Sequence, residues 1–415
     1  MLYQRAFAVF SLVCAPLTFA QSGRFFPPDG NGDGIRFPLA YSPAIWQLEG
    51  RLAIAPGTDR QVHLAYSLRI TNAYGGPIKI QSIATVDPFA DYKVVGTNHV
   101  VATDGGDITG LVDPTPAPPD LNKSAYVNTL ASGASGVMFL DVAFPSVEAV
   151  PAYLSHRLTV SQADAEGEEH TFTTTDAPIA VDRRSPIVLS PPLRGDRWLD
   201  GDSCCEQIGG HRWAHTPVNG IAEPAETFAA DMLQLRKDGR VYSGPIDKLS
   251  SYEYYGACVY SAGAGKVVEV VRDLPDEVPG KTPTDVTVLT AAGNHVIIEM
   301  DGKRYAMYAH LAAYSVTLQV GDEVAEGQLL GKLGNSGSTS APHLHFQVMD
   351  APSPLAALPM PFVFRHFSRR YRYAGDLNEE GRQTVAGEPL TLSRAENAGE
   401  FENAMPLTFD LLDFK

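Results

Sequence analysis

The sequence predicts an all-β chain in two domains, an immunoglobulin-like sandwich followed by a glycine-punctuated β-barrel or sheet. Three observations carry this: short runs that alternate apolar and polar residues, turn residues between them, and no long helical period. At 415 residues the chain is too long for one ordinary domain, and 44% hydrophobic with 19% charged residues is a globular make-up.

The opening stretch "MLYQRAFAVFSLVCAPLTFA" has Arg5, an apolar run from Ala6 to Leu17, and the exit Thr18, Phe19, Ala20. This is the pattern of a secretory signal peptide over 1–20, cleaved near Ala20; the apolar part is too short for a spanning helix and Pro16 interrupts it. Val13, Ala15 and Pro16 around Cys14 do not form a lipoprotein signal. With no other apolar run of the ~20 residues a span requires, the chain is expected in the periplasm or outside the cell. Its net charge of −16 becomes −17 once Arg5 leaves with the signal. Such acidity excludes a nucleic-acid partner and retention on anionic surfaces by charge. Cys204, Cys205 and Cys258 then remain, and in an oxidising compartment Cys258 is expected to pair with one of the vicinal cysteines.

Residues 21–45 form a Gly- and Pro-rich lead, in which "DGNGDGI" (Asp29, Asn31, Asp33) resembles the start of a calcium loop. Ala40 stands where an EF-hand requires Glu, so a solvated turn is expected. The sandwich is assigned to 46–187. "VHLAYSLRI" sets Val62, Leu64, Tyr66, Leu68 and Ile70 on one strand face, and "PIKIQSI" repeats the alternation after "NAYGGP". "GVMFLDVAF", "HRLTVS" and "HTFTTT" continue the series, and His63, His99, His156 and His170 read as scattered surface or structural residues. The Pro- and Arg-rich stretch 188–203 reads as a linker. In 204–365, "AGKVVEVV", "HVIIEM", "RYAMYAHL", "SVTLQV", "LLGKLG" and "PHLHFQV" read as strands, with glycines such as Gly293, Gly334 and Gly337 at the corners. The tail 366–415 passes a basic aromatic patch, "RHFSRRYRY", and reads as a C-terminal extension with a weakly ordered end.

Chemistry concentrates in the second half. "GGHRWAHTPVNG" offers His211 and His215, "ETFAADMLQL" places Asp231 in an apolar run, and "PHLHFQV" puts His343 and His345 on one strand face. A carboxylate in apolar surroundings costs several kcal/mol to desolvate unless a cation or donors offset it. Two imidazoles and a carboxylate are a catalytic zinc set that leaves a fourth position for water. His310, ending "MYAHL", can reach over a groove from a strand-to-loop corner.

"YAHL" followed by "VTLQVGDEVAEGQLLGKLGNSGSTSAPHLHFQV" strongly resembles the lysostaphin/LytM-type zinc metallopeptidases, densely from Gly256 to Val348 and more loosely back to Cys204. The resemblance implies one zinc ion per chain held by His211, Asp231 and His345, with His310 and His343 acting in catalysis. The long insertion between His211 and Asp231 departs from the commonest pattern and leaves His215 as the rival of His211. Glu226 and Thr227 also stand where a basic residue is common.

The resemblance implies an exported zinc metalloendopeptidase acting on peptide bonds in the stems or cross-bridges of bacterial peptidoglycan. The alternative is a catalytically silent regulator or wall-binding module; such regulators lose ligands, and none of the five positions is lost. A carrier domain is a weaker reading, because Lys332 lies inside a strand-like run and not at a hairpin tip. The acidity implies that charge does not hold the chain to the wall and leaves room for another peptide substrate.

Overall fold

The computed structural model describes residues 40–100, 128–205 and 210–415, with short strands at Ser22–Phe25, Ile35–Pro38, Thr103–Asp104, Asp107–Ile108 and Leu111–Val112. The expected signal peptide, the turn at Asp29, Asn31 and Asp33, and the side chain of His99 lie outside the described residues.

The N-terminal half is built on β1 (Ala44–Glu49), β2 (Val62–Asn72), β3 (Ile78–Asp87), β4 (Ser135–Phe144), β5 (Tyr153–Ala163) and β6 (Glu169–Thr175). One sheet contains the antiparallel run β4-β2-β1 and a second contains β3-β5-β6. Leu64, Leu68, Leu140 and Val142 of the first pack with Ile78, Ile80, Leu158 and Val160 of the second in one core. The alternation in β2 buries the predicted face, yet His63, Ala65 and Ser67 on its opposite face are buried as well. Ala65 belongs to the core of the second half, so this sheet is covered on both sides. His63 and His156 are interior residues paired with Asp141 and Asp176, whereas His170 is exposed beside Asp164.

The second half contains β7 (Ile187–Leu189), β8 (Gly195–Asp202), α1 (Gly210–Trp213), β9 (Ala230–Gln234), β10 (Gly265–Val271), β11 (Asn294–Met300), β12 (Arg304–Leu311), β13 (Glu323–Val324), β14 (Leu344–Met349), β15 (Phe362–Tyr373), α2 (Leu377–Ala386), β16 (Leu392–Ala404) and β17 (Asp410–Phe414). Its large sheet runs β7-β15-β17-β8-β9-β14-β12-β11-β10-β13, with β16 added on β15. Leu344, Phe346 and Val348 of β14 belong to its core, which the alternation in "PHLHFQV" predicts.

Three expectations change. The stretch expected to be a linker, 188–203, supplies β8, which lies between β9 and β17 and buries Trp198 and Leu199. Its arginines do not mark a solvated linker, because their partners come from elsewhere in the chain: Arg194 stacks over Tyr260 at 3.9 Å, and Arg197 donates to the Leu235 carbonyl at 2.9 Å. The tail does not end loosely. β17 sits between β15 and β8, and Phe414 packs on Phe364 at 5.8 Å. Arg369, on the same face as Phe367 and just ahead of a bulge before Tyr371, is buried and donates to Asp410 at 2.8 Å. Finally, Cys204 bonds to Cys205, while Cys258 keeps its thiol, 3.0 Å from the Lys332 ammonium on the neighbouring strand. Lys332 does lie within a strand, Leu329–Lys332.

Candidate metal centre

The site grows from strand register. β9 and β14 are antiparallel neighbours in which Asp231 stands opposite His345, and β12 flanks β14 with Ala309 opposite His345. Paired residues share a face at about 4.5–5.5 Å between Cβ atoms, so the carboxylate and the imidazole meet without any loop having to carry them. His343 enters just ahead of β14, two residues from His345, and keeps to the same side. His211 comes from the one-turn helix α1, its backbone N–H donating to Asp202 Oδ2 at 3.2 Å.

Asp231 is ringed by three imidazoles. His345 Nδ1 lies 3.0 Å from Oδ1, His211 Nε2 lies 3.2 Å from Oδ2, and His343 Nε2 lies 3.3 Å from Oδ2. Burial opposes the charge on Asp231, but His211 and His343 outweigh it and hold the carboxyl well below its ordinary range. Burial likewise opposes charge on His211 and His343; Asp231, with Asp202 for His211, prevails and raises both. His310 shifts the other way: burial, then the proximity of His343 and His345, depress it well below an ordinary imidazole.

The donor set fits a divalent ion. His345 Nε2 lies 2.6 Å from Gln347 Oε1, and Gln347 Nε2 donates to the Pro354 carbonyl at 3.3 Å, which fixes the amide orientation. An amide oxygen only accepts, so Nε2 of His345 carries a proton, and Nδ1 is the ring nitrogen turned to Asp231 Oδ1, which a neutral ring offers to a cation as a lone pair. Bonds of about 2.0–2.1 Å in a tetrahedral zinc site set neighbouring ligand atoms about 3.3 Å apart; the separations here are 3.0 and 3.2 Å. One atom each from His211, Asp231 and His345 all lie within 4.8 Å of one another.

His310 and His343 are oriented by the backbone. His310 Nδ1 donates to the Ser336 carbonyl and His343 Nδ1 to the Ala341 carbonyl, each at 2.8 Å, which turns the two Nε2 atoms to the cleft side, that of His343 beside Asp231 Oδ2. The two rings are 4.6 Å apart. His310 has φ 57°, a left-handed conformation uncommon outside glycine and frequent at functional sites. Gly293, at φ +59°, makes room for the Ser336 carbonyl, because a Cβ there would collide with it.

These residues line a cleft of about 580 Å³ that also contains Asp202, Trp213, Glu226, Ser340 and Phe139, the last from the N-terminal half. The structure brings together all five residues singled out from the sequence. His215 lines the same cleft but turns away from Asp231: its Nδ1 is 3.1 Å from Glu49 Oε2 and its Nε2 is 3.4 Å from Ser67 Oγ. Gln347 and Asp202 escaped the sequence reading. Gln347 was findable as the next residue on the His343–His345 face, whereas Asp202 was hidden in the stretch read as a linker.

Residues 251–356 match the model of Peptidase family M23. Lysostaphin of Staphylococcus staphylolyticus is 45% identical over 74 residues, 17% of this chain and 15% of that protein. Peptidoglycan DD-endopeptidase ShyB of Vibrio cholerae is 34% identical over 103 residues, 25% of this chain and 20% of that protein. The chain thus spans a fifth or less of the length of these curated relatives. The crystallised catalytic domain of lysostaphin from Staphylococcus simulans aligns with 40% of this chain and 88% of its own, at 21% identity and TM-score 0.23. The matched segment holds His310, His343 and His345, with Asp231 and His211 upstream, and residues 251–356 are a Peptidase family M23 domain.

Proposed function

We propose that this chain is an exported zinc metalloendopeptidase that hydrolyses peptide bonds, in stems or cross-bridges of bacterial peptidoglycan. The observation that carries the reading is Asp231 placed between His211 Nε2 and His345 Nδ1 at the spacing of a tetrahedral site, with two more imidazole Nε2 atoms over the same cleft. His211, Asp231 and His345 would hold one zinc ion per chain. Zinc, when bound, supplies Lewis acidity that polarises the scissile carbonyl and acidifies water. His310 and His343 share the proton traffic: one accepts the proton released as water attacks, and the other donates to the developing negative charge. Their Nδ1–H bonds to backbone carbonyls keep the acting Nε2 atoms aimed into the cleft. Gln347 orients His345 as a ligand, in the manner of outer-shell groups at metal centres.

Export and substrate rest on other observations. The start of the sequence has signal-peptide form, the Cys204–Cys205 bond suits an oxidising compartment, and no described helix is long and apolar enough to cross a membrane. A relative named as a peptidoglycan DD-endopeptidase supports the polymer as substrate. The two-sheet N-terminal half is read as an immunoglobulin-like sandwich over 46–187, and the peptidase domain as 204–365 with β8 and the tail strands joined to its sheet.

The test is incubation of the full chain with purified peptidoglycan and with polyglycine peptides, followed by mass spectrometry of the products. Peptide-bond cleavage that a chelator abolishes and zinc restores is expected. A protein that folds without metal and cleaves neither would support the silent regulator instead.

A further inference from the structure

We propose that the N-terminal two-sheet half is a positioning element of the metal centre, holding the segment that carries His211 so that its imidazole reaches Asp231. The inference rests on the zinc reading above. Asp231 and His345 are placed by sheet register, but His211 sits on a helix of a single turn, too short to fix a side chain by its own hydrogen bonds. Its neighbours supply what the helix lacks. Arg212, 1% exposed, donates through Nη1 to the Cys205 carbonyl and through Nη2 to the Leu140 carbonyl at 3.0 Å and the Tyr66 carbonyl at 3.4 Å. Leu140 and Tyr66 are register partners on β4 and β2, so the guanidinium is seated on one rung of the N-terminal sheet.

A second anchor follows four residues after the ligand. His215, 3% exposed, lies 3.1 Å from Glu49 Oε2 on β1 and 3.4 Å from Ser67 Oγ on β2, with its ring edge-on to Phe139 of β4 at 5.6 Å. Glu49 is itself fixed by Arg69 Nε at 2.5 Å. Three strands of one sheet therefore grip the residues on the C-terminal side of His211. A buried guanidinium is costly unless its donors are satisfied in a fixed geometry, and a planar fork reaches several carbonyls where an ammonium cannot. A spacer domain has no need of such a contact, nor of Phe139 in the wall of the cleft.

The experiment measures zinc affinity of the full chain by competition with a chromogenic chelator, for the wild type and for Arg212→Lys, Glu49→Gln and Thr159→Ala, the last on the other sheet. Thermal unfolding of each metal-free protein is recorded alongside. Both anchor variants are expected to bind zinc about 10- to 100-fold more weakly, the range for outer-shell changes, with Thr159→Ala unchanged. Should Arg212→Lys fail to fold, Glu49→Gln decides, since it alters only the second anchor. Anchor variants that bind zinc within about two-fold of wild type, even with a lowered melting temperature, overturn the proposal and leave a purely structural contact. A wild type that binds no zinc overturns the metal reading itself, and this inference with it.

Discussion

At the scale of single residues, the cleft separates ligands from proton carriers by how each imidazole is tied. His345 is held at Nε2 by Gln347 and presents Nδ1; His310 and His343 are held at Nδ1 by carbonyls and present Nε2. Replacing His310 or His343 by Ala should lower kcat by about 10²- to 10⁴-fold with zinc content retained, as checked by steady-state kinetics beside metal analysis. Gln347→Leu should weaken zinc binding by about 10- to 100-fold, read by chelator competition, because nothing then fixes the proton on Nε2. The left-handed backbone at His310 stores strain of order 1–3 kcal/mol. His310→Gly should accordingly be inactive and yet melt above His310→Ala, a comparison that calorimetry can make.

At the scale of elements, register decides the site. A slip of one residue between β9 and β14 would turn either Asp231 or His345 to the opposite face, and the packing of Leu344 and Phe346 in the core forbids it. The tail belongs to the same sheet, so its strands bear on stability. Arg369 of β15, 4% exposed, donates to Asp410 at 2.8 Å and to the Thr58 carbonyl at 3.2 Å. Arg369→Met leaves Asp410 buried without its cation and should cost about 3–5 kcal/mol, measured as a shift in the urea unfolding midpoint. Alternation in "RHFSRRYRY" sets Arg369 on the side of Phe367, but only the fold brings Asp410 there as its partner.

At the scale of the molecule, the N-terminal half carries a titrating centre of its own. His63 is buried between Asp141, 2.9 and 3.0 Å from Nδ1, and Asp59, 3.1 and 3.2 Å from Nε2. Burial opposes its charge, but Asp141 and Asp59 together push its pKa up to about 10. A raised folded-state pKa means that above the unfolded value of about 6.5 the native state binds the extra proton. This contribution is complete below that pH and is lost as pH rises through about 10. Stability should fall between those limits by up to about 1.4 kcal/mol per pH unit. His63→Gln should flatten that slope in thermal or urea unfolding; an unchanged slope would remove His63 as its cause.

The sequence by itself determined the β character of both halves, the core face of β14, and four of the polar side chains that meet in the cleft, Asp231, His310, His343 and His345. Period-two alternation and the choice of His and Asp in apolar runs are local properties, and they survive folding unchanged. What only the tertiary structure decided was which segments meet: β8 and β17 joining the sheet that carries Asp231, His211 and not His215 facing the carboxylate, and Cys258 lying beside Lys332 and apart from the bonded Cys204–Cys205 pair. These depend on which separate parts of the chain become neighbours in the fold. A charged or Pro-rich stretch gives no local sign of that, because its arginines find their partners only in the folded molecule.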